Sequence, residues 1–200
     1  MATVRVRTFV DFWNFTLSVR DEDSGFRIAW EKLGPLLSAE TGKLLGSDPA
    51  VYEGLHVYGS YDPNKAADSK LKNWFVNTLD KMSGVAVVLR ERQRKRGYLK
   101  CPHCQSEAKV CTTCGGDLRG TEEKGVDTRI ATDLIRLAWE GGYDAAVLVT
   151  ADRDFVPVAE FLQTKGIKII HGTFPPTSSE LTQKCWGHLD MPKLMPKFKR

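Results

Sequence analysis

No run of apolar residues in this 200-residue chain is long enough to cross a bilayer. The N-terminus, Met1-Ala2-Thr3-Val4-Arg5-Val6-Arg7, alternates as a strand does and lacks the apolar stretch of a secretory signal. Neither sign of charge dominates. The 29 Lys and Arg against 25 Asp and Glu leave +4, which permits nucleic-acid binding without establishing it. No internal repeat and no low-complexity tract is visible, so a solenoid or a disordered array is excluded. What is left is a globule, 42% hydrophobic and 27% charged, with length for one good core or one domain carrying an insertion. The cytoplasm is the expected compartment. Thiols stay reduced there, and clustered cysteines read as metal ligands before disulfides.

Apolar runs punctuate the chain in a βα rhythm. Val4–Val10, Leu55–Tyr61, Val85–Leu89, Ala145–Val149 and Ile167–Ile170 read as strands. Val85–Leu89 is continuous, as in a strand buried on both faces. Ile28–Leu37 reads as a short helix stopped near Gly34-Pro35 or soon after. Asp62-Pro63 reads as the cap and first turn of a helix from Asn64 to about Met82, closed by Ser83-Gly84. Val126–Glu140 is amphipathic, and Pro157–Lys165 forms another helix closed by Gly166. This order predicts an α/β fold with a mostly parallel sheet between helices. The segment 90–123 breaks the rhythm and is expected to be an insertion in a domain spanning 1–171. A basic tail, 172–200, would follow it.

The chemistry lies in carboxylates that are distant in sequence but sit beside strand ends or a helix start. Asp11 ends Thr8-Phe9-Val10, with Asn14 three residues on. Asp152 and Asp154 follow the run that ends in Thr150, and Asp127 opens the amphipathic helix. In an open α/β sheet such positions meet in one crevice at the carboxyl ends of the strands. Acids gathered there repel one another unless they share a proton or a cation. Mg²⁺ or Mn²⁺ takes oxygen ligands and suits the site. Singly, each acid has an ordinary explanation as a cap or a dipole partner. Asp133, flanked by Arg129 and Arg136 at helical spacing, is adequately explained as an ion pair.

Phe9-Val10-Asp11-Phe12-Trp13-Asn14, Lys124-Gly125-Val126-Asp127 and Thr150-Ala151-Asp152-Arg153-Asp154-Phe155 resemble, in this order, the three signature blocks of the NYN domain, a PIN-like ribonuclease family that includes the LabA-like proteins. The resemblance implies a PIN-like three-layer fold and RNA cleavage at a Mg²⁺ or Mn²⁺ ion. It gives the metal role to Asp11, Asp127 and Asp152. Asp154 would act through water or orient the nucleophile. Asn14 would orient Asp11 or the substrate, Lys124 would meet a phosphate, Thr150 would line the crevice, and Asp133 is a secondary candidate.

Cys101-Pro102-His103-Cys104 and Cys111-Thr112-Thr113-Cys114 form C-x2-C-x6-C-x2-C, a spacing for one tetrahedral thiolate site. Structural zinc is the first reading and iron–sulfur the second. His103 is read as a bystander and Cys185 as a small core residue or a free thiol. Before the cluster, Arg90, Arg92, Arg94 and Arg96 would share one face of an extended strand, with Tyr98 beyond them. Such a row attracts phosphates, and a tyrosine stacks on bases; a solvated edge strand is the plainer alternative. The expected function is a metal-dependent endoribonuclease binding RNA and no membrane, with a homodimer or protein partner left open. The alternative is a non-catalytic RNA-binding or regulatory module.

Overall fold

The computed structural model describes residues 3–98, 100–176 and 179–200. In chain order the elements are β1 (Arg5–Asp11), α1 (Phe12–Glu22), α2 (Trp30–Leu44), β2 (Val51–Tyr61), α3 (Ala66–Asn77), β3 (Val85–Glu91), β4 (Gln93–Arg94), β5 (Thr121–Glu122), α4 (Val126–Trp139), β6 (Ala145–Val149), α5 (Val156–Thr164), β7 (Lys168–Thr173), α6 (Ser179–Lys184), β8 (Gly187–Asp190) and α7 (Met191–Leu194). Six strands form a parallel sheet in the order β3-β2-β1-β6-β7-β8. The chain runs outward from β1 in one direction, returns, and runs outward from β6 in the other. The crevice between β1 and β6 is therefore the topological switch point, where open α/β sheets bind their ligands. Among the described residues no helix is long and apolar enough to cross a membrane.

Strand alternation sends side chains to two cores. Val6, Val10, Leu55, Val57, Val147 and Val149 face one helical layer with Phe12, Phe15, Trp30 and Phe75. Phe9, Tyr58, Ala146 and Leu148 face the other, with Val126, Ile130, Leu134 and Phe155. The expected three-layer α/β arrangement is what forms.

Several elements differ from the sequence reading. Gly34-Pro35 does not stop α2, which continues to Leu44 because Leu37, Ser38 and Thr41 beyond the proline are buried. A Cβ on Gly34 would come within 2.6 Å of the Tyr52 ring, so this glycine serves close packing and not termination. Asp62 does not cap α3. Its carboxylate is occupied by Asn64 N–H at 3.0 Å and the Thr121 hydroxyl at 3.0 Å, and the helix starts after Lys65 and ends at Asn77. The strand at Val85 is an edge strand and only partly buried. The residues from 172 are not a separate tail. Strand β7 crosses that point, β8 extends the sheet, and Phe198 is fully buried.

On β2, His56 Nε2 stands 2.8 Å from Arg7 Nη1. Arginine can only donate, so Nε2 accepts and the imidazole is neutral. Burial, then Arg7, pushes His56 down to about 4. Below the ordinary value of 6.5 the unfolded chain takes up a proton that the folded chain refuses. Stability is thus fully present above that pH and is lost as pH falls toward 4, by roughly 2 to 3 kcal/mol. Urea unfolding of wild type and His56→Gln across this window tests it. The variant should keep more of its stability on acidification; parallel losses would rule out His56 as the cause.

Candidate active site

Asp11, Ser60 and Thr150 come to the crevice from the carboxyl ends of β1, β2 and β6. By alternation they lie on the face that Phe9, Tyr58 and Leu148 present to α4. Asp11 is 3% exposed and caps α1. Its carboxylate accepts from Asn14 N–H at 3.1 Å and from Asn14 Nδ2 at 2.7 Å. Asn14 is thus placed to orient Asp11. Burial raises Asp11's pKa and the Asn14 bonds oppose that, while Glu123 adds repulsion.

Glu123 is the residue that sequence reasoning missed. It lies in a polar run, Glu122-Glu123-Lys124-Gly125, inside what reads as insertion. Its only signal was adjacency to the Lys124–Asp127 block. The fold brings its carboxylate to accept from the Ser60 hydroxyl. Gly125, at φ 78°, then turns the chain into α4, a left-handed conformation that a side chain disfavours. Asp127 follows in the first turn. Its carboxyl is pushed up to about 6, by loss of solvent and then by Asp11, Asp152, Glu123 and Asp154. One side of Asp127 stays open to water, so burial is incomplete; the negative neighbours are the cause peculiar to this crevice.

The third block is also ordered locally. Thr150 Oγ1 accepts from Asp152 N–H at 3.2 Å, and Asp152 accepts from Asp154 N–H at 2.9 Å. Asp152 does cap a short 3₁₀ turn, as its ordinary explanation allowed, while acting on Asp127 electrostatically. His171, fully buried on β7, holds the floor: Nε2 lies 2.8 Å from Thr150 O and Nδ1 2.8 Å from Thr182 Oγ1. Lys124 pairs with Glu122 at 2.9 Å at the rim.

Other candidates stand elsewhere. Asp133 does not join the crevice. It is buried and bonded to Tyr58 Oη at 3.1 Å, Arg129 at 2.8 Å and Arg136 at 3.3 Å. Burial alone would raise its pKa, but Arg129 and Tyr58 outweigh that and hold it low. The four arginines do not share one strand. Arg90 ends β3 exposed, Arg92 sits half-buried in a break, Arg94 on β4 pairs with Asp117 at 3.4 Å, and Arg96 lies exposed beyond the strand. Tyr98 already has a cation above it, Arg119, at 5.7 Å. The Cys104 thiol is lowered to about 7 by the Ser106 hydroxyl and amide and by Cys101. Cys185, partly buried against the second core, is pushed up to about 12 by burial. Among the described residues no three His, Cys, Asp or Glu side chains form a ready-made ligand set.

The carboxylate donors nevertheless fit a hard cation. The principal charges acting on Asp127 are four carboxylates, and among the described residues no lysine or arginine forms an ion pair with Asp11, Glu123, Asp127, Asp152 or Asp154. The NYN domain family matches residues 5–192. The chain belongs to the NYN family. NYN domains fall within the PIN-like nuclease superfamily, a ribonuclease group that typically uses divalent metals. The match extends past the expected boundary at residue 171 and takes in β8. A crystal structure of a protein of unknown function from Vibrio parahaemolyticus shares this fold, with TM-score 0.55 and 15% identity over 94% of this chain and 93% of that one. Comparison with curated protein sequences gives no significant match.

Proposed function

We propose that this NYN protein is a Mg²⁺- or Mn²⁺-dependent endoribonuclease. The observation that carries the reading is the set of uncompensated carboxylates at the switch point, with Asp127 raised by Asp11, Asp152, Glu123 and Asp154. Asp11, Asp127 and Asp152 would hold the ion, and Asp154 and Glu123 would support it. Such an ion activates water and stabilises charge on a phosphate. The protein's own part is positional. Asn14 fixes the Asp11 carboxylate in one rotamer through two hydrogen bonds. His171 fixes the Thr150 carbonyl, and with it the turn that carries Asp152. Lys124 would exchange Glu122 for a substrate phosphate at the rim. A zinc ion on Cys101, Cys104, Cys111 and Cys114 belongs to the same reading, as a structural element.

The direct test is cleavage of a mixed RNA pool by wild type and Asp152→Asn with Mn²⁺, alongside a metal-free control. Cleavage should require Mn²⁺ and disappear in the variant. Tight RNA binding without any turnover would favour the non-catalytic module instead.

Arg90, Arg94 and Arg96 are the exposed arginines of the row; Arg94 is engaged by Asp117, so Arg90 and Arg96 are the ones we assign to the RNA backbone. Arg90→Ala with Arg96→Ala should weaken binding to many RNAs alike, because a grip on phosphates carries no sequence information. The slope of log affinity against log salt should fall by about 1.4, at about 0.7 for each phosphate no longer neutralised on a single strand. Equal slopes for the two proteins would place both arginines outside the interface.

A further inference from the structure

The insertion between β3 and α4 uses one turn twice. In the first, Lys100 bridges Glu107, Cys101 N–H donates to Ser106 O at 2.9 Å, and Gln105 N–H donates to Cys101 O at 2.9 Å. In the second, Val110 bridges Asp117, Cys111 N–H donates to Gly116 O at 2.8 Å, and Gly115 N–H donates to Cys111 O at 2.8 Å. Gln105 and Gly115 share the left-handed conformation, at φ 60° and 71°. The sequence shows the two Cys-x-x-Cys pairs but not that both close the same turn, because Gln105 stands where the second pair has Gly115. Each turn offers a Cys-x-x-Cys pair, two ligands a side for a tetrahedral ion, although among the described residues the two pairs are not gathered into one ligand set.

The turns are tied to the acid crevice. Asp117, which closes the second turn, accepts from Arg94 on β4 at 3.4 Å and from Arg119 at 3.3 Å. Below it β4 and β5 pair, and Lys95 N–H donates to Gly120 O at 3.3 Å. The residue after β5 is Glu123, bonded to Ser60, and Thr121 on β5 donates to Asp62 at 3.0 Å. A ladder of two residue pairs is too short to hold itself. Whatever closes its outer end therefore decides how firmly Glu123 is presented.

We propose that the four cysteines close both turns on one zinc ion, and that this clasp fixes β5 so that Glu123 acts as a positioning residue for the ion in the acid crevice. The identity of that second ion rests on the nuclease reading; the zinc does not.

The test uses the full chain. Elemental analysis of wild type should find close to one zinc per chain, and Cys104→Ser should lose most of it. Mn²⁺ affinity, followed by electron paramagnetic resonance, should fall about tenfold or more in Cys104→Ser, the scale of losing a supporting residue at a metal site. Glu123→Gln should give a similar fall. Ser60→Ala, which leaves the insertion intact but frees Glu123, should move affinity in the same direction. The double variant Cys104→Ser with Glu123→Gln should bind Mn²⁺ no more weakly than either single variant, since both remove one coupling. Iron, or no metal, on the wild-type cysteines overturns the clasp. One zinc, with Mn²⁺ affinity unchanged in Cys104→Ser or with additive losses in the double variant, overturns the link to Glu123. These readouts need no RNA. A chain that shows the coupling but cleaves nothing overturns the nuclease reading alone.

Discussion

Asp11→Asn should lose about 10²- to 10³-fold in metal-dependent cleavage, the several kcal/mol of transition-state stabilisation that a well-held ion supplies. The same substitution should leave the fold as stable as wild type, or more so. Asparagine caps a helix as well as aspartate does, so its side-chain oxygen can still accept from the Asn14 amide that Asp11 holds at 3.1 Å. What it removes is a buried negative charge that Glu123 repels and that itself repels Asp127, and the Asn14 amide need only turn to offer its oxygen to the new NH2 group. Loss of activity with a retained or raised unfolding midpoint separates a site residue from a structural one. A variant that cleaves at the wild-type rate would sink the assignment of Asp11. One that loses activity only because its midpoint collapses would return Asp11 to the role of a helix cap.

Much of this was legible because buried parallel strands leave a strong mark. Val147-Leu148-Val149 is readable as a strand from hydrophobicity alone, and a carboxylate just past such a run has few places to be except the crevice. Asp11 ends β1, Asp152 stands just past β6, and Asp127 feels both of them from the first turn of α4. What was not legible depended on tertiary partners. Glu123 looks like any charged loop residue until Ser60, 63 positions away in the chain, is brought beside it. Asp133 reads as a surface ion pair because Arg129 and Arg136 flank it at helical spacing, yet it is buried and also bonded to Tyr58 on β2. Pro35 looked like a stop because local chemistry says so; the packing of Leu37 and Thr41 outweighs the hydrogen bond it removes. The arginine row failed because period two was carried through Arg92, where the chain leaves one sheet and enters another.

The C-terminal segment was the largest misreading, and its correction carries the largest expected loss of stability. Its lysines mark only a basic tail, and β8 has a single buried apolar side chain, Leu189, too little to signal a strand. Yet Phe198 is fully buried, edge-on to Phe26 at 5.5 Å and tilted against Phe15 at 6.2 Å. Its carbonyl accepts from Ala29 N–H at 2.9 Å, and Arg200 N–H donates to Arg27 O at 2.9 Å. The lysines are spoken for too: Lys197 pairs with Glu40 at 2.9 Å and Lys199 with Asp23 at 3.1 Å. Phe198→Ala should therefore cost about 3 to 5 kcal/mol, the transfer of the ring plus the cavity left behind. Lys197→Ala with Lys199→Ala should cost at most about 1 kcal/mol per pair, because these ion pairs are half-exposed. Phe15 lies on α1, the helix that Asp11 caps, so the cavity opens directly behind the helix that carries Asn14. Denaturant midpoints for the two variants decide the matter: a Phe198→Ala midpoint equal to wild type would restore the reading of a basic tail outside the domain.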